Sequence, residues 1–227
     1  MAVARALVLF DIDGTLLSRA GSHHKDALIH AIREITGQET SFDGIDTSGR
    51  LDRDLIRLLL RGARAKVRDI ERWLPAIIEK AQSRYELICP ELQDRVCPGV
   101  RVILERLKAE EIPAGLVTGN LTAIGWKKMD AAGLRPFFRF GAFADMARTR
   151  ASLTRIAIRE AKRQGLAAKS TAISLVGDHP NDVQAAKLNG IRSIAVATGL
   201  STREELAACE PDVLVSDLRS LELDSLL

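Results

Sequence analysis

Leu7-Val8-Leu9-Phe10-Asp11-Ile12-Asp13-Gly14-Thr15 is the stretch that decides the fold, because an apolar run stops there at two carboxylates and a turn residue. Such a short apolar run followed by glycine predicts a buried parallel strand rather than a helix. Asp11 and Asp13 would then lie at the carboxyl end of the strand, where open α/β sheets bind ligands. Two carboxylates so close together repel each other unless a cation lies between them, and Mg²⁺ prefers oxygen ligands. A polar turn after a strand is the alternative interpretation.

The composition is that of an ordinary globular protein. The chain has 227 residues, of which 46% are hydrophobic and 28% are charged, and this length suits a core with an inserted subdomain. A net charge of +3 is too small to indicate a nucleic-acid partner. Cys89, Cys97 and Cys209 lack the spacing of a zinc site or a disulfide framework, so we expect a reducing, cytoplasmic location. No apolar run is long enough for a signal peptide or a membrane span, so we expect no membrane partner.

Helical periodicity dominates the region after Thr15. Apolar residues at helical spacing predict three helices, over 25–36, 51–60 and 70–88. Pro75 is expected in a first turn or at a kink of the third helix, because proline cannot donate to the preceding turn. No strand-like alternation of useful length occurs here. We therefore predict that residues 17–91 form an all-helical cap.

Strands and helices alternate after Pro98-Gly99. The pattern predicts a helix over 100–110 with Val102, Ile103 and Leu107 as its apolar stripe. Strands are predicted with helices between them, at 114–117, 138–144, 172–176, 193–196 and 213–215. Such alternation implies right-handed crossovers and a doubly wound, Rossmann-like parallel sheet. The predicted fold is therefore α/β, with a core formed by residues 1–16 and 92–227.

The strand predicted at 114–117 ends in Thr118, Gly119 and Asn120. These residues offer a hydroxyl, a flexible backbone and an amide to the oxygens of a phosphate group. An ordinary turn at the end of a strand is the alternative interpretation.

A second polar motif, Gly177-Asp178-His179-Pro180-Asn181-Asp182, follows the strand predicted at 172–176. Asp178 would be another carboxylate at the carboxyl end of a strand, able to join Asp11 around one cation. Asp182 is expected to support this site from outside the ligand set, or to act only as a first-turn charge that favours the helix dipole.

The motifs DIDGT, VTGN and GDHPND, in this order and with a helical insert after the first, resemble the signature set of the haloacid dehalogenase-like hydrolases. The phosphoglycolate phosphatase-like enzymes are the subgroup that the chain resembles most. The resemblance covers nearly the whole chain. It implies a Mg²⁺-dependent phosphatase that hydrolyses a small phosphorylated metabolite through an aspartyl-phosphate. The sequence leaves monomer and homodimer open.

The resemblance also implies a role for each motif. Asp11 would be the nucleophile and a ligand of Mg²⁺. Asp13 would be the general acid and then the general base, and its backbone carbonyl would be a second ligand. Asp178 would complete the protein ligands. Thr118 and the neighbouring amides would hold the transferring phosphoryl group.

One expected part departs from the family pattern. The family supplies a lysine after the third strand, but this chain has Arg148 and Arg150 there and no lysine before Lys162. Arg150 is the preferred substitute and Arg148 the alternative, although a planar guanidinium is not an automatic replacement for an ammonium. A solvated surface position is the other interpretation of each arginine. If neither arginine reaches the site, slow turnover or a non-catalytic protein is expected.

Residues of the predicted cap would select the substrate. Arg50 is the residue expected to bind a second anionic group, such as the carboxylate of a two-carbon or three-carbon phosphoacid. His23 and His24 lie where the chain should enter the cap. A surface histidine pair is the preferred interpretation, and His24 facing the substrate is the alternative. A phosphomutase, another enzyme of the superfamily and a weakly active phosphate-binding protein are the competing functions.

Overall fold

A parallel sheet of six strands forms the centre of the fold in the computed structural model, which describes residues 4–18 and 21–226. The strand order is β3-β2-β1-β4-β5-β6. The strands are β1 (Ala6–Phe10), β2 (Ala114–Val117), β3 (Phe138–Ala142), β4 (Ala172–Gly177), β5 (Arg192–Val196) and β6 (Val213–Val215). This arrangement confirms the predicted doubly wound α/β fold.

The position of β1 explains why distant motifs meet. Phe10 pairs with Leu116 of β2 on one side and with Val176 of β4 on the other. Because all three strands are parallel, the residues that follow them leave the sheet at the same edge. The strand order also reverses at β1, and ligand sites of open α/β sheets form at such a switch point.

Helices cover the sheet and fill the insert. They are α1 (His23–Thr36), α2 (Asp52–Gly62), α3 (Val67–Ile88), α4 (Val100–Ala109), α5 (Thr122–Ala131), α6 (Arg150–Arg163), α7 (Pro180–Leu188) and α8 (Arg203–Ala208). Within residues 4–18 and 21–226, no helix combines the length and the apolar composition that a membrane-spanning segment needs.

Both faces of β1 are buried, as its continuous apolar sequence predicts. Side chains alternate between the two faces of a strand. Leu7 and Leu9 belong to the apolar cluster that includes Leu153 of α6. Val8 belongs to the other cluster, together with Ile103 of α4. Helices on both faces therefore hold β1, and with it Asp11, in a rigid position.

The insert consists of α1, α2 and α3 and the loops between them. Leu28 and Ile32 of α1 are buried in the same apolar cluster as Ile77 and Ala81 of α3. This cluster continues onto the sheet face that contains Leu9. The division into a core and a cap over residues 17–91 stays a prediction.

Two details of the sequence prediction are corrected by the structure. Pro75 lies inside α3, which begins at Val67, so the first-turn alternative was wrong, and the kink stays a prediction. Val102 is 63% exposed. The buried stripe of α4 consists instead of residues at helical spacing, namely Val100, Ile103, Leu104 and Leu107.

Candidate active site

Three carboxylates meet at the carboxyl edge of the sheet. Asp11 follows β1, Asp178 follows β4, and Asp182 lies in the first turn of α7. All three residues are buried, and one oxygen from each lies within 4.8 Å of the others. The structure therefore brings together Asp11 and Asp178, which the sequence predicts as ligands of one cation, and places Asp182 beside them.

Local sequence explains how α7 presents Asp182. Pro180 occupies the first turn of α7, where a missing N–H costs no hydrogen bond. The Nδ1 atom of His179 accepts from the Asn181 N–H at 3.1 Å, and the Asp182 carboxylate accepts from the His179 N–H at 3.3 Å. This capping box fixes the first turn and directs Asp182 toward β1.

The backbone of the first motif approaches Asp178 closely. Gly14 has a φ of +88°, and a Cβ atom at this position would collide with the Asp178 carboxylate. The Thr15 hydroxyl donates to Oδ1 of Asp178 at 3.0 Å. Glycine in DIDGT thus permits both the turn and the approach of the two motifs.

Ionisation of all three carboxylates at once is unfavourable, because they are buried and repel each other. Burial, followed by the charges of Asp11 and Asp182, raises the pKa of Asp178 to about 8. Burial also raises the pKa of Asp182 to about 7, although the Arg150 guanidinium opposes this increase. Oxygen ligands that repel each other in a buried site suit a hard divalent cation such as Mg²⁺. The residues present therefore fit the predicted metal ion.

Arg150 is the arginine that reaches this site. Its Nη1 atom donates to Oδ1 of Asp11 at 2.9 Å and to the Val117 carbonyl at 3.1 Å. Its Nε atom lies 3.2 Å from Oδ1 of Asp182. The side chain is buried because Arg150 is the first residue of α6, whereas Arg148 lies in the preceding loop and is exposed.

The loop after β2 lies between the sheet and the insert. Thr118 and Asn120 are both buried, and Oγ1 of Thr118 accepts from Nδ2 of Asn120 at 2.7 Å. The carbonyl of Gly119 accepts from the Asp52 N–H at 2.8 Å. Thr118, Gly119 and Asn120 line the same cavity as Asp11.

Asp13 belongs to a separate group of polar side chains. Both of its carboxylate oxygens accept from Nζ of Lys128 at 2.7 Å, and Oδ2 also accepts from Nδ2 of Asn120 at 2.7 Å. Burial opposes the ionisation of Asp13, but the Lys128 ammonium outweighs it and lowers the pKa of this carboxyl below its ordinary value. Its contacts with Lys128 and Asn120 therefore place Asp13 beside, rather than within, the group formed by Asp11, Asp178 and Asp182.

Lys128 is the site residue that the sequence analysis missed. It is only 1% exposed, although lysine is almost never fully buried without a partner. A signal was present in the sequence. Leu121, Ile124 and Lys128 follow each other at helical spacing, so the lysine occupies a position of the apolar stripe.

The two residues proposed for substrate recognition lie at the cavity between the sheet and the insert. Nε2 of His24 lies 2.9 Å from Oδ2 of Asp52, and its Nδ1 lies 3.3 Å from Nζ of Lys128. The exposed Arg50 donates from Nε to the Asp46 carbonyl at 2.8 Å. Both His24 and Arg50 line the cavity, whose volume is about 850 Å³.

Known proteins resemble this chain over nearly its whole length. A family described as haloacid dehalogenase-like hydrolase matches residues 6–190. The probable phosphatase IndB of Dickeya dadantii is 30% identical over 215 residues, which are 93% of this chain and 89% of that protein. A phosphoglycolate phosphatase of Synechococcus elongatus is 27% identical over 212 residues, 92% of this chain and 91% of that protein.

The fold is also similar to solved structures. The crystal structure of a predicted phosphoglycolate phosphatase from Haemophilus somnus 129PT superposes with a TM-score of 0.68 at 21% identity and covers 96% of each chain. The similarity therefore includes both the sheet and the helical insert.

Proposed function

Because the chain belongs to the haloacid dehalogenase-like hydrolase family and is a phosphatase of that family, we propose that it hydrolyses a small phosphorylated metabolite with Mg²⁺ as its cofactor. Asp11 is the nucleophile. The observation that carries this proposal is the environment of Asp11, which shares a buried cluster with Asp178 and Asp182 and contacts the guanidinium of Arg150. A carboxylate attacks a phosphate dianion only where positive charge reduces their repulsion.

In the proposed reaction, Asp11 attacks phosphorus and the bond to the leaving oxygen breaks. The Asp13 carboxyl gives its proton to that oxygen. Asp13 then takes a proton from water, the water oxygen attacks phosphorus, and the bond to Asp11 breaks to release inorganic phosphate. Asp11, Asp178 and the backbone carbonyl of Asp13 would hold Mg²⁺, with Asp182 supporting them. When bound, the ion screens the charges of the nucleophile and the phosphate.

The remaining residues hold the transferring group. Thr118 donates its hydroxyl, and the N–H groups of Gly119 and Asn120 supply further donors. Arg150 takes the role of the lysine in the family pattern, and its contact with Asp11 supports this choice over the exposed Arg148. Arg50 faces the substrate, which we propose is a two-carbon or three-carbon phosphoacid such as phosphoglycolate. His24 lines the same cavity, although both of its ring nitrogens contact protein groups.

The test compares Asp11→Asn with Asp130→Asn, an exposed aspartate on α5. Hydrolysis of an aryl phosphate in the presence of Mg²⁺ should fall by about 10⁴-fold or more in D11N, because the nucleophile is lost. D130N should retain the native rate, and chelation of Mg²⁺ should abolish the activity of both native protein and D130N. Circular dichroism should find both variants folded. Retained hydrolysis in D11N would contradict the assignment of the nucleophile.

Product analysis distinguishes hydrolysis from phosphoryl transfer to a second hydroxyl. A phosphatase releases one inorganic phosphate for each ester consumed, whereas a phosphomutase returns an isomeric ester. A native protein that hydrolyses no ester of a broad phosphate panel would contradict the proposed function as a whole.

A further inference from the structure

Lys128 is a buried cation that the proposed reaction does not use. Its ammonium lies 2.7 Å from each oxygen of Asp13, 2.7 Å from Oδ1 of Asn120 and 3.3 Å from Nδ1 of His24. An ammonium has three donors and no acceptor, so these four acceptor atoms share three hydrogens and none is left free. The side chain of Lys128 therefore has one well-defined position.

This position determines where the Asp13 carboxylate points. Asp13 is bound by Lys128 and Asn120, and Asn120 is itself bound by Lys128. The three side chains form a closed triangle. Without the ammonium, Asn120 could hold only one of the two Asp13 oxygens, and the carboxylate could turn toward a cation bound at Asp11.

The same lysine connects Asp13 to the insert. An ammonium can only donate, so the contact with Lys128 suits the tautomer of His24 in which Nδ1 accepts and the Nε2–H donates to Asp52. Oδ2 of Asp52 also accepts from the N–H of Leu121, just before α5. Contacts from α1 and α2 thus converge on α5, where Lys128 meets Asp13.

We propose that Lys128 is a positioning residue that orients the Asp13 carboxyl toward the leaving oxygen, and that His24 and Asp52 hold the lysine in place from the insert. The inference rests on the proposed role of Asp13 as the general acid. Lys128 lines the cavity, but its ammonium is engaged by Asp13, Asn120 and His24, so we assign it no direct contact with the phosphate or the leaving group. It acts through the geometry of Asp13, and misplacement of a catalytic group by about 1 Å can cost about 10²-fold in rate.

The test uses esters that differ in their need for an acid. An aryl phosphate such as p-nitrophenyl phosphate has a stable leaving anion, whereas an alkyl phosphate such as glycerol phosphate requires protonation of its leaving oxygen. The value of kcat/KM covers the steps up to the first phosphoryl transfer, in which Asp13 acts as the acid. Comparing kcat/KM for the two esters therefore isolates that role of Asp13.

Lys128→Met removes the charge at similar length, and Lys127→Met is the matched control on the same helix. We expect K128M to lower kcat/KM by about 10²-fold for the alkyl ester and by less than about fivefold for the aryl ester, since general acid catalysis contributes about 10²–10⁴-fold. K127M should match the native protein with both esters. Lys128→Gln should recover part of the alkyl activity, because its amide can donate to Asp13 without the charge.

Equal losses with both esters would overturn the proposal and assign Lys128 a purely structural role, as would native activity in K128M. Circular dichroism and thermal unfolding are compared with those of K127M, and if K128M does not fold, the ratio of the two esters is taken from K128Q. A different result would contradict the proposed function, namely that native protein hydrolyses neither ester faster than D11N does.

Discussion

The position of the Arg150 side chain depends on the residue at which α6 begins. The sequence places two arginines after the third strand, and either could supply the missing positive charge. Thr149 caps α6 by accepting from the Ser152 N–H at 3.1 Å. This cap makes Arg150 the first helical residue and directs it to the carboxylates, while Arg148 is exposed. Spacing alone could not choose between them, because the choice depends on one residue at the helix start.

A matched pair of substitutions tests the assignment. Arg150→Met should reduce kcat for an aryl phosphate by about 10²–10³-fold with saturating Mg²⁺, because a cation that stabilises the transition state is lost. Arg148→Met should retain the native rate. Steady-state kinetics measures both, and equal rates in the two variants would refute the role of Arg150.

Lys128 marks the limit of sequence reasoning at the scale of residues. Asp11 and Asp178 were predictable because both directly follow apolar strands, and parallel strands end at one edge of the sheet. Lys128 follows no such rule. It extends from the interior of α5 to Asp13, and its burial is visible only once the helix is packed against the sheet. A charged residue within an apolar stripe is the one sequence pattern that could have identified it.

At the scale of elements, strands were easier to predict than helix ends. β2 and β6 have the predicted limits, since each is a short apolar run. The third strand was predicted over 138–144 but ends at Ala142. Beyond it, the N–H of Ala144 donates to the Asn120 carbonyl at 2.9 Å, in the loop after β2. Tertiary hydrogen bonds of this kind have no local sequence signal.

The loop before α2 connects the insert to α7. Nδ2 of Asn181 donates to the Gly49 carbonyl at 3.0 Å. Gly49 has a φ of +61°, and a Cβ atom there would collide with the ring of His179. Gly49 therefore permits close contact between the insert and the motif that carries Asp178.

Gly49→Ala should prevent this contact and raise KM for a small phosphate ester by about tenfold, because a closed insert positions the substrate. Gly44→Ala is the control, since Gly44 has a similar φ of +71°, but a Cβ atom there would meet no other atom of residues 4–18 and 21–226 within 4 Å. Both variants carry the same backbone strain of about 1–2 kcal/mol. Only G49A should change KM, and equal KM values in both would show that the contact has no role in substrate binding.

In the whole molecule, the order of the motifs was enough to predict a parallel sheet. The packing of the insert against that sheet could not be predicted. Helical periodicity identifies α1, α2 and α3 but does not determine which face each turns to the sheet. In the structure their apolar residues join a cluster that continues to Leu9 of β1. Residues of the insert and of the carboxyl edge of the sheet thus line an open cavity of about 850 Å³ that includes Asp11.

The charges around this cavity determine which substrates it suits. On the sheet side of the cavity, Arg150 is paired with Asp11 and Lys128 with Asp13. Arg50 lies on the insert side, is exposed, and uses only Nε in its hydrogen bond to the Asp46 carbonyl. Its terminal nitrogens form a fork that suits a carboxylate on a bound phosphoacid.

Arg50→Ala should therefore lower kcat/KM for two-carbon and three-carbon phosphoacids by at least about tenfold, since a charge-assisted hydrogen bond contributes about 1.5–3 kcal/mol. An aryl phosphate, which has no second anion, should change by less than about twofold. Arg61→Ala, an exposed arginine at the end of α2, should affect neither substrate. Kinetics with a panel of phosphoacids and matched phosphate esters of neutral alcohols measures the difference. If R50A reduces all esters equally, Arg50 supports the shape of the insert and does not recognise the carboxylate, and the large cavity would then fit a substrate without a second charge.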